Sequence, residues 1–177
     1  MESLRLEALR SYRILDTGRH PSFDAIVEAA SLAFDVPIAA ISLVDEDRQW
    51  FKAAIGLQDS ETERSRSFCT HAIERIEPLV VEDARDHPLF ADMADAMGGF
   101  GIRFYAGAPL IDHEGFALGT LCVADTRPRS LDAGQIALLK SLAEAAMTAI
   151  TAHHQGRLLR QAAEALETCC PREPVFI

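Results

Sequence analysis

The stretch Ile102-Arg103-Phe104-Tyr105-Ala106-Gly107-Ala108-Pro109-Leu110-Ile111, then Asp112-His113-Glu114-Gly115, then Ala117-Leu118-Gly119-Thr120-Leu121-Cys122-Val123 decides the fold. Two runs of aromatic, β-branched and small apolar residues flank four turn-forming ones. That pattern predicts two strands joined by a tight turn, which makes them antiparallel. Pro109 cannot donate to a ladder, so the first strand is bent or near an edge there. Alternation puts Leu118, Thr120 and Cys122 on one face of the second strand and Gly119, Leu121 and Val123 on the other. Arg103 and Tyr105 likewise share a face.

A second hairpin lies upstream. Pro37–Val44 (PIAAISLV) is β-rich, Asp45-Glu46-Asp47 is a polar turn, and Gln49–Ile55 (QWFKAAI) returns to Gly56. Leu79-Val80-Val81 is a short strand ending at Asp83. Helical spacing appears at Leu4, Leu6, Leu9, Tyr12 and Leu15, and again from Asp24 to Phe34. Ser67 can cap a helix over Phe68–Ile76, and His87–Met97 is weakly helical until Gly98-Gly99. From Ser130-Leu131-Asp132, apolar residues recur at three and four through Leu166. A helix of that length extends roughly 55 Å, farther than a domain of this size. Its apolar seam therefore needs a partner, unless Gly156 breaks the helix at a cost of about 1 kcal/mol and lets it fold back. Antiparallel strands with helices to the side give an α+β fold, a central antiparallel sheet flanked by helices with a long C-terminal helix.

The bulk numbers bound the function. The 177 residues suit one domain, and 49% hydrophobic with 25% charged residues is the balance of a globular protein. A net charge of −10 repels phosphate backbones and anionic lipid, so neither nucleic acid nor membrane is an expected partner. No apolar run approaches the ~20 residues that span a bilayer. The start, MESLRLEALR, lacks the apolar core of a signal peptide, so the cytoplasm is the expected location. Cys69, Cys122, Cys169 and Cys170 form no CxxC pair or zinc spacing.

Six stretches in order carry a family resemblance: Arg5-Leu6-Glu7-Ala8-Leu9 with Ile14-Leu15-Asp16-Thr17; Pro37 to Asp45 (PIAAISLVD); Arg48 to Ala53 (RQWFKA); Ser67 to Ile73 (SFCTHAI); Ile102 to Leu110 (IRFYAGAPL); and Leu118 to Asp125 (LGTLCVAD). Together they resemble the bacterial GAF domains that precede histidine kinase or diguanylate cyclase modules. The resemblance runs over about residues 2–150. It implies a sheet of about six antiparallel strands, with a pocket on one face covered by the segments at 67–75 and 86–100. It also implies a signalling context such as a two-component system, with residues 1–155 as the GAF domain and 156–177 as a helical extension and irregular tail. The ligand stays unknown, because members of this fold bind different molecules.

Several family activities find no counterpart here. The cyclic-nucleotide motif needs asparagine, and this chain has none. Bilin-binding members carry a histidine, often with a cysteine, where this chain reads Asp92-Met93-Ala94-Asp95-Ala96-Met97. Free methionine sulfoxide reductases share a cysteine at Cys69, but their essential cysteine precedes the fourth strand, where Gly98 to Gly101 has none.

The candidate ligand-binding residues are Cys69, His71, Asp83, Arg103, Tyr105 and Cys122, with no catalytic or metal set. Cys69 and His71 can form an activated thiol or metal site, or pack as a small apolar residue and a backbone-bonding histidine. Cys122 reads as a buried structural thiol. Arg103 with Tyr105 can grip an anion, or be an edge arginine beside an amphipathic phenol. Trp50 and Phe51 lie on opposite faces, and His153-His154 reads as a solvated pair. The reading is a non-catalytic sensor that binds a small cytosolic ligand or a partner and transmits through a helical homodimer. The alternatives are a thiol-based redox enzyme or sensor using Cys69 and Cys122, and a ligand-free dimerisation scaffold. The chain is expected to be either a stand-alone regulator acting in trans or a piece of a longer protein; the ending PREPVFI carries no kinase or cyclase sequence, which fits a natural stop.

Overall fold

The computed structural model describes residues 1–93 and 101–169. Its centre is a sheet of β1 (Ile38–Val44), β2 (Arg48–Ile55), β3 (Glu61–Glu63), β4 (Leu79–Val81), β5 (Phe104–Ile111) and β6 (Ala117–Asp125), in the order β3-β2-β1-β6-β5-β4. Every neighbouring pair is antiparallel. Both expected hairpins are present, and β1 lies against β6, so the two hairpins join through their apolar inner strands. Among the described residues four α-helices accompany the sheet: α1 (Glu2–Ser11), α2 (Pro21–Phe34), α3 (Phe68–Ala72) and α4 (Ala133–Cys169).

The sheet separates two cores. On one side, α1, α2 and the first part of α4 bury Leu9, Phe23, Val27, Ala30, Leu139, Ala146 and Ile150 against Ile41, Leu43, Phe104 and Leu121. On the other, α3 and the following turns bury Phe68, Cys69 and Phe90 against Ala40, Val44, Tyr105 and Cys122. Alternation thus assigns each inner strand to both cores at once. Each fully buried large side chain contributes about 2 kcal/mol by leaving water. The closest approach in the sheet is at Gly119, where a Cβ would lie 2.8 Å from Leu43 Cα and against the Ser42 carbonyl.

Two bulges adjust the alternation. Leu110 opposes Gly119 and Ile111 opposes Ala117, leaving Leu118 as the extra residue. Leu118 therefore joins Leu121 and Val123 on the α4 side and does not share the face of Thr120 and Cys122, as simple alternation had it. In β2, Ala53 and Phe51 oppose Ile41 and Ser42, so Lys52 is the extra residue. Its ammonium donates to Thr17 Oγ1 at 2.8 Å and to the Gly18 carbonyl at 2.6 Å, and sits 5.1 Å from the Phe23 ring. Trp50 and Phe51 fall in opposite cores, as expected.

Other expectations change. The helix expected over 68–76 stops at Ala72, with Ile76 exposed beyond it. Ser67 spends its hydroxyl on Gln49 Oε1 and not on a cap. In place of a helix over 87–97, single 3-10 turns form at Ala84–Asp86 and Ala91–Met93; residues 94–97, Gly98 and Gly99 lie outside the described residues. Strand β3 went unread because Glu61-Thr62-Glu63 has no apolar alternation. It forms by pairing with β2, aided by Arg48–Glu61 at 2.7 Å. The long helix runs through Gly156 without a break, while residues 170–177 lie outside the described residues. No helix among the described residues is long and apolar enough to cross a membrane.

The Gly119 contact gives a direct test of this packing. Gly119→Ala is expected to destabilise the fold by about 3 kcal/mol, because the added methyl meets the β1 backbone at Ser42 and Leu43. Thermal denaturation measures this; an unchanged melting temperature would contradict the close β1–β6 approach.

Candidate functional site

The site grows from α3, β5 and β6. In α3, Phe68, Cys69 and Ala72 fall on the face turned to the sheet and are fully buried. Thr120 and Cys122 stand two apart on β6, so both point at that face. Tyr105 reaches it from β5 by lying across Gly107, where a Cβ would come 2.7 Å from the ring carbon Cζ. Only glycine leaves space for the phenol in that position.

These side chains converge on one sulfur. Tyr105 Oη donates to Cys69 Sγ at 3.2 Å, and Thr120 Oγ1 donates to it at 3.1 Å. Cys122 Sγ is 3.9 Å away. Ser42, directly opposite Thr120 on β1, is fully buried; its hydroxyl meets no full hydrogen-bond geometry among the described residues, yet it faces Cys69 and favours its thiolate. Burial pushes the Cys69 thiol up, but Cys122, Thr120 and Tyr105 all favour its thiolate, and the balance lies below the ordinary thiol value. Its neighbour moves the other way. Contact with Cys69 and burial raise Cys122, and burial, with the two sulfurs beside it, raises Tyr105. Cys69 is the more acidic member of the pair.

Aromatic rings close this core. Phe68 stacks on Tyr105 at 5.0 Å and on Phe90 at 4.8 Å between ring centroids. His71 packs with its ring 5.3 Å from Phe90, and His87 lies 4.6 Å from the same ring. The turn carrying Phe90 is held by short-range bonds: Asp86 and His87 to Asp83 and Ala84, Phe90 and Ala91 to His87, and Met93 to Phe90. Its backbone meets the sheet through Ala84 N–H and the Arg103 carbonyl.

Asp83 and Arg103 form a second cluster. Arg103 Nε donates to Asp83 Oδ1 at 3.1 Å and Nη2 donates to Oδ2. Arg103 holds the Asp83 carboxyl below the usual range, and Asp83 raises Arg103 in turn. The guanidinium offered as an anion grip with Tyr105 is thus bonded within the protein. An open groove of about 680 Å³ beside it is lined by Asp83, Asp86, His87 and Arg129 among others. The structure therefore brings Cys69, Tyr105 and Cys122 together, joins Asp83 to Arg103, and leaves His71 beside Phe90.

His153 and His154 also differ from expectation. They are half-buried, with His154 Nδ1 3.2 Å from the Tyr12 carbonyl and His153 packed near Phe23 and His20. Burial first, and Lys52 next, lower the His153 value. Among the described residues no group of three or more His, Cys, Asp or Glu side chains could hold a metal ion. Sequence reasoning passed over Thr120, Ser42, Phe90 and Gly107. An isolated glycine inside a strand was the readable signal for a close approach.

Tyr105→Phe keeps the ring stack and removes one donor from the sulfur. The Cys69 titration, followed by thiolate ultraviolet absorbance, is expected to move upward. An unmoved titration would mean the phenol does not stabilise the thiolate.

Comparison with known proteins follows the same geometry. The GAF domain family matches residues 19–150. The chain is 44% identical over 138 residues to a cyclic di-GMP phosphodiesterase of Pseudomonas aeruginosa; the match covers 77% of this chain and 24% of that protein, so the chain spans about a quarter of its length. The GAF domain of an Acinetobacter phosphoenolpyruvate-protein phosphotransferase superposes with a TM-score of 0.63 at 23% identity, covering 88% of this chain and 97% of that one. A free methionine-R-sulfoxide reductase of Neisseria meningitidis, in complex with its substrate, superposes with a TM-score of 0.63 at 20% identity, covering 87% and 92%. The two structural likenesses show the fold alone. The family match takes in the whole six-stranded sheet and the core-facing half of α4, and on that span the chain belongs to the GAF domain family.

Proposed function

We propose that this chain is a non-catalytic sensory GAF module of the cytoplasm that receives a small ligand or partner on its α3 face and reports through α4 in a homodimer. The observation that carries the reading is the division of α4. Its first half packs on the sheet through Leu139, Ala143, Ala146, Met147 and Ile150. Its second half continues unbroken to Cys169 and exposes Leu158, Leu159 and Leu166, the last two at 72% and 70%. The helix thus links a sheet that can sense to an apolar stripe that can pair. Exposed apolar area costs about 25 cal/mol per Å², and a two-fold interface is the commonest way to bury such a stripe. Leu4 and Leu138 are also exposed and extend the proposed surface.

The chemistry of the α3 face favours sensing over turnover. Cys69 is bonded to hydroxyls and a second thiol, while His71 lies against Phe90. Among the described residues, the groups bonded to Cys69 are Tyr105, Thr120 and Cys122, none of them the adjacent base that commonly drives turnover at a thiol. The ligand-free scaffold is the second reading, supported by Phe68, Phe90 and Tyr105 filling the space under α3 with their own rings. On the sensory reading, residues 1–155 are the sensing unit and the rest of α4 is the output rod. Its partner is a signalling module such as the phosphodiesterase of the Pseudomonas relative, attached or in trans. Cys69, His71, Asp83, Arg103, Tyr105 and Cys122 remain the proposed ligand-facing set.

Light scattering tests the assembly. Wild type is expected at twice its 19.4 kDa mass. Leu159→Glu with Leu166→Glu should give a folded monomer, since both side chains are exposed in the single chain. Leu142 is a poorer target because it packs against the core. A wild type that is monomeric at high micromolar concentration would contradict the proposed interface.

A further inference from the structure

We propose that Cys69 and Cys122 form a hydroperoxide-responsive dithiol switch, in which Cys69 attacks the peroxide, Cys122 resolves the product, and the resulting disulfide ties α3 to the central strand β6. This goes beyond the assembly reading above and does not depend on it. The geometry comes first. The two sulfurs are 3.9 Å apart, and a disulfide needs about 2.05 Å, so closure requires about 2 Å of combined movement. Cys122 sits mid-strand in the sheet, but α3 is five residues long and its cover is held by local turns. Both sulfurs are fully buried, so the movable partner, α3, has to lift, both to admit the peroxide and to close the bond, while β6 stays fixed.

The roles follow from the surroundings. Thiolate, not thiol, is the nucleophile. Tyr105 and Thr120 both donate to Cys69 Sγ, and the hydroxyl of Ser42 lies on the same face. Those hydroxyls favour negative charge on Cys69. They also provide donors for the oxygen that leaves as a peroxide bond breaks. Burial and its contact with Cys69 shift Cys122 toward its thiol form. An asymmetric pair of this kind sets one sulfur to attack and the other to wait.

The reaction balances without any other reagent. Cys69 thiolate attacks one oxygen of ROOH; an S–O bond forms, the O–O bond breaks, and the departing alkoxide takes a proton and leaves as ROH. Cys122 then attacks the sulfenic sulfur. The S–S bond forms, the S–O bond breaks, and the hydroxyl leaves as water with the Cys122 proton. Two thiols are oxidised by two electrons, and one peroxide is reduced. The structural result is a covalent bond between the thin cover and the sheet that also carries α4.

The test uses the full chain with Cys169→Ser and Cys170→Ser, so that two thiols remain. Hydrogen peroxide at equal concentration is added to native protein, followed by alkylation under denaturing conditions and intact mass measurement. The expected product lacks two hydrogens, takes up no alkylating agent, and yields a Cys69–Cys122 linked peptide. Cys122→Ala should stop at a sulfenic acid that dimedone traps on Cys69, and Cys69→Ala should not react. Tyr105→Phe should slow the reaction about tenfold, the loss of one charge-assisted hydrogen bond, while leaving the melting temperature within a few degrees. Hydrogen exchange supplies a second readout: α3 amides should become more protected in the oxidised protein. Native thiols that survive peroxide, or oxidation of Cys69 without the Cys122 link, would overturn the switch. So would a Cys69→Ala variant that reacts as fast as the two-thiol protein.

Discussion

The structure depends on the close contact of β1 with β6. Each of these strands supplies side chains to both cores, so the sheet holds only if alternation is kept strictly and the backbones approach closely. Gly119 allows the approach, with the Ser42 carbonyl and Leu43 Cα where a Cβ would stand. The bulges at Leu118 and Lys52 then redirect single residues without moving the strands apart. A shift of one residue would carry the apolar set of Ile41, Leu43, Leu121 and Val123 from the helical core into the other.

The two faces made by this constraint differ in how firmly they are covered. One carries α1, α2 and α4, long elements with repeated apolar contacts. The other carries a five-residue helix and 3-10 turns whose hydrogen bonds are mostly local. Local opening is cheapest where buried contacts are few and bonds short-range. On the proposed sensory reading, input belongs on the α3 face and output on the α4 face. The central strands are common to both: Tyr105 and Cys122 face one core, while Phe104, Leu121 and Val123 face the other.

Much of this was legible in the residues. The β-rich runs PIAAISLV, QWFKAAI, IRFYAGAPLI and ALGTLCV and the turns between them gave the strands, the third of which begins at Phe104 and not at Ile102, and three-and-four spacing gave a helix that does run to Cys169. The candidate site was legible in part. Cys69 and Cys122 were paired in the redox alternative and Tyr105 was paired with Arg103, but the meeting of all three side chains at one sulfur depends on the approach of α3 to β6, a tertiary fact without a local signal. Asp83 and Arg103 were named for a ligand and instead bond each other, because the turn after β4 returns Asp83 to the start of β5. Leu118 was misassigned because period-two reasoning cannot see a bulge. Strand β3 was missed because its three polar residues take their conformation from the β2 edge.

The most direct measurement is the distance between two copies of α4. A nitroxide on Gln161→Cys, in a background of Cys169→Ser and Cys170→Ser, places the label on an exposed position of the projecting half. Pulsed electron spin resonance should give one narrow separation, on the order of 20 Å, as expected for helix axes about 8–10 Å apart with a label arm on each. No dipolar coupling between copies, or a broad distribution without a short component, would contradict the claim that α4 carries the signal through a paired helix.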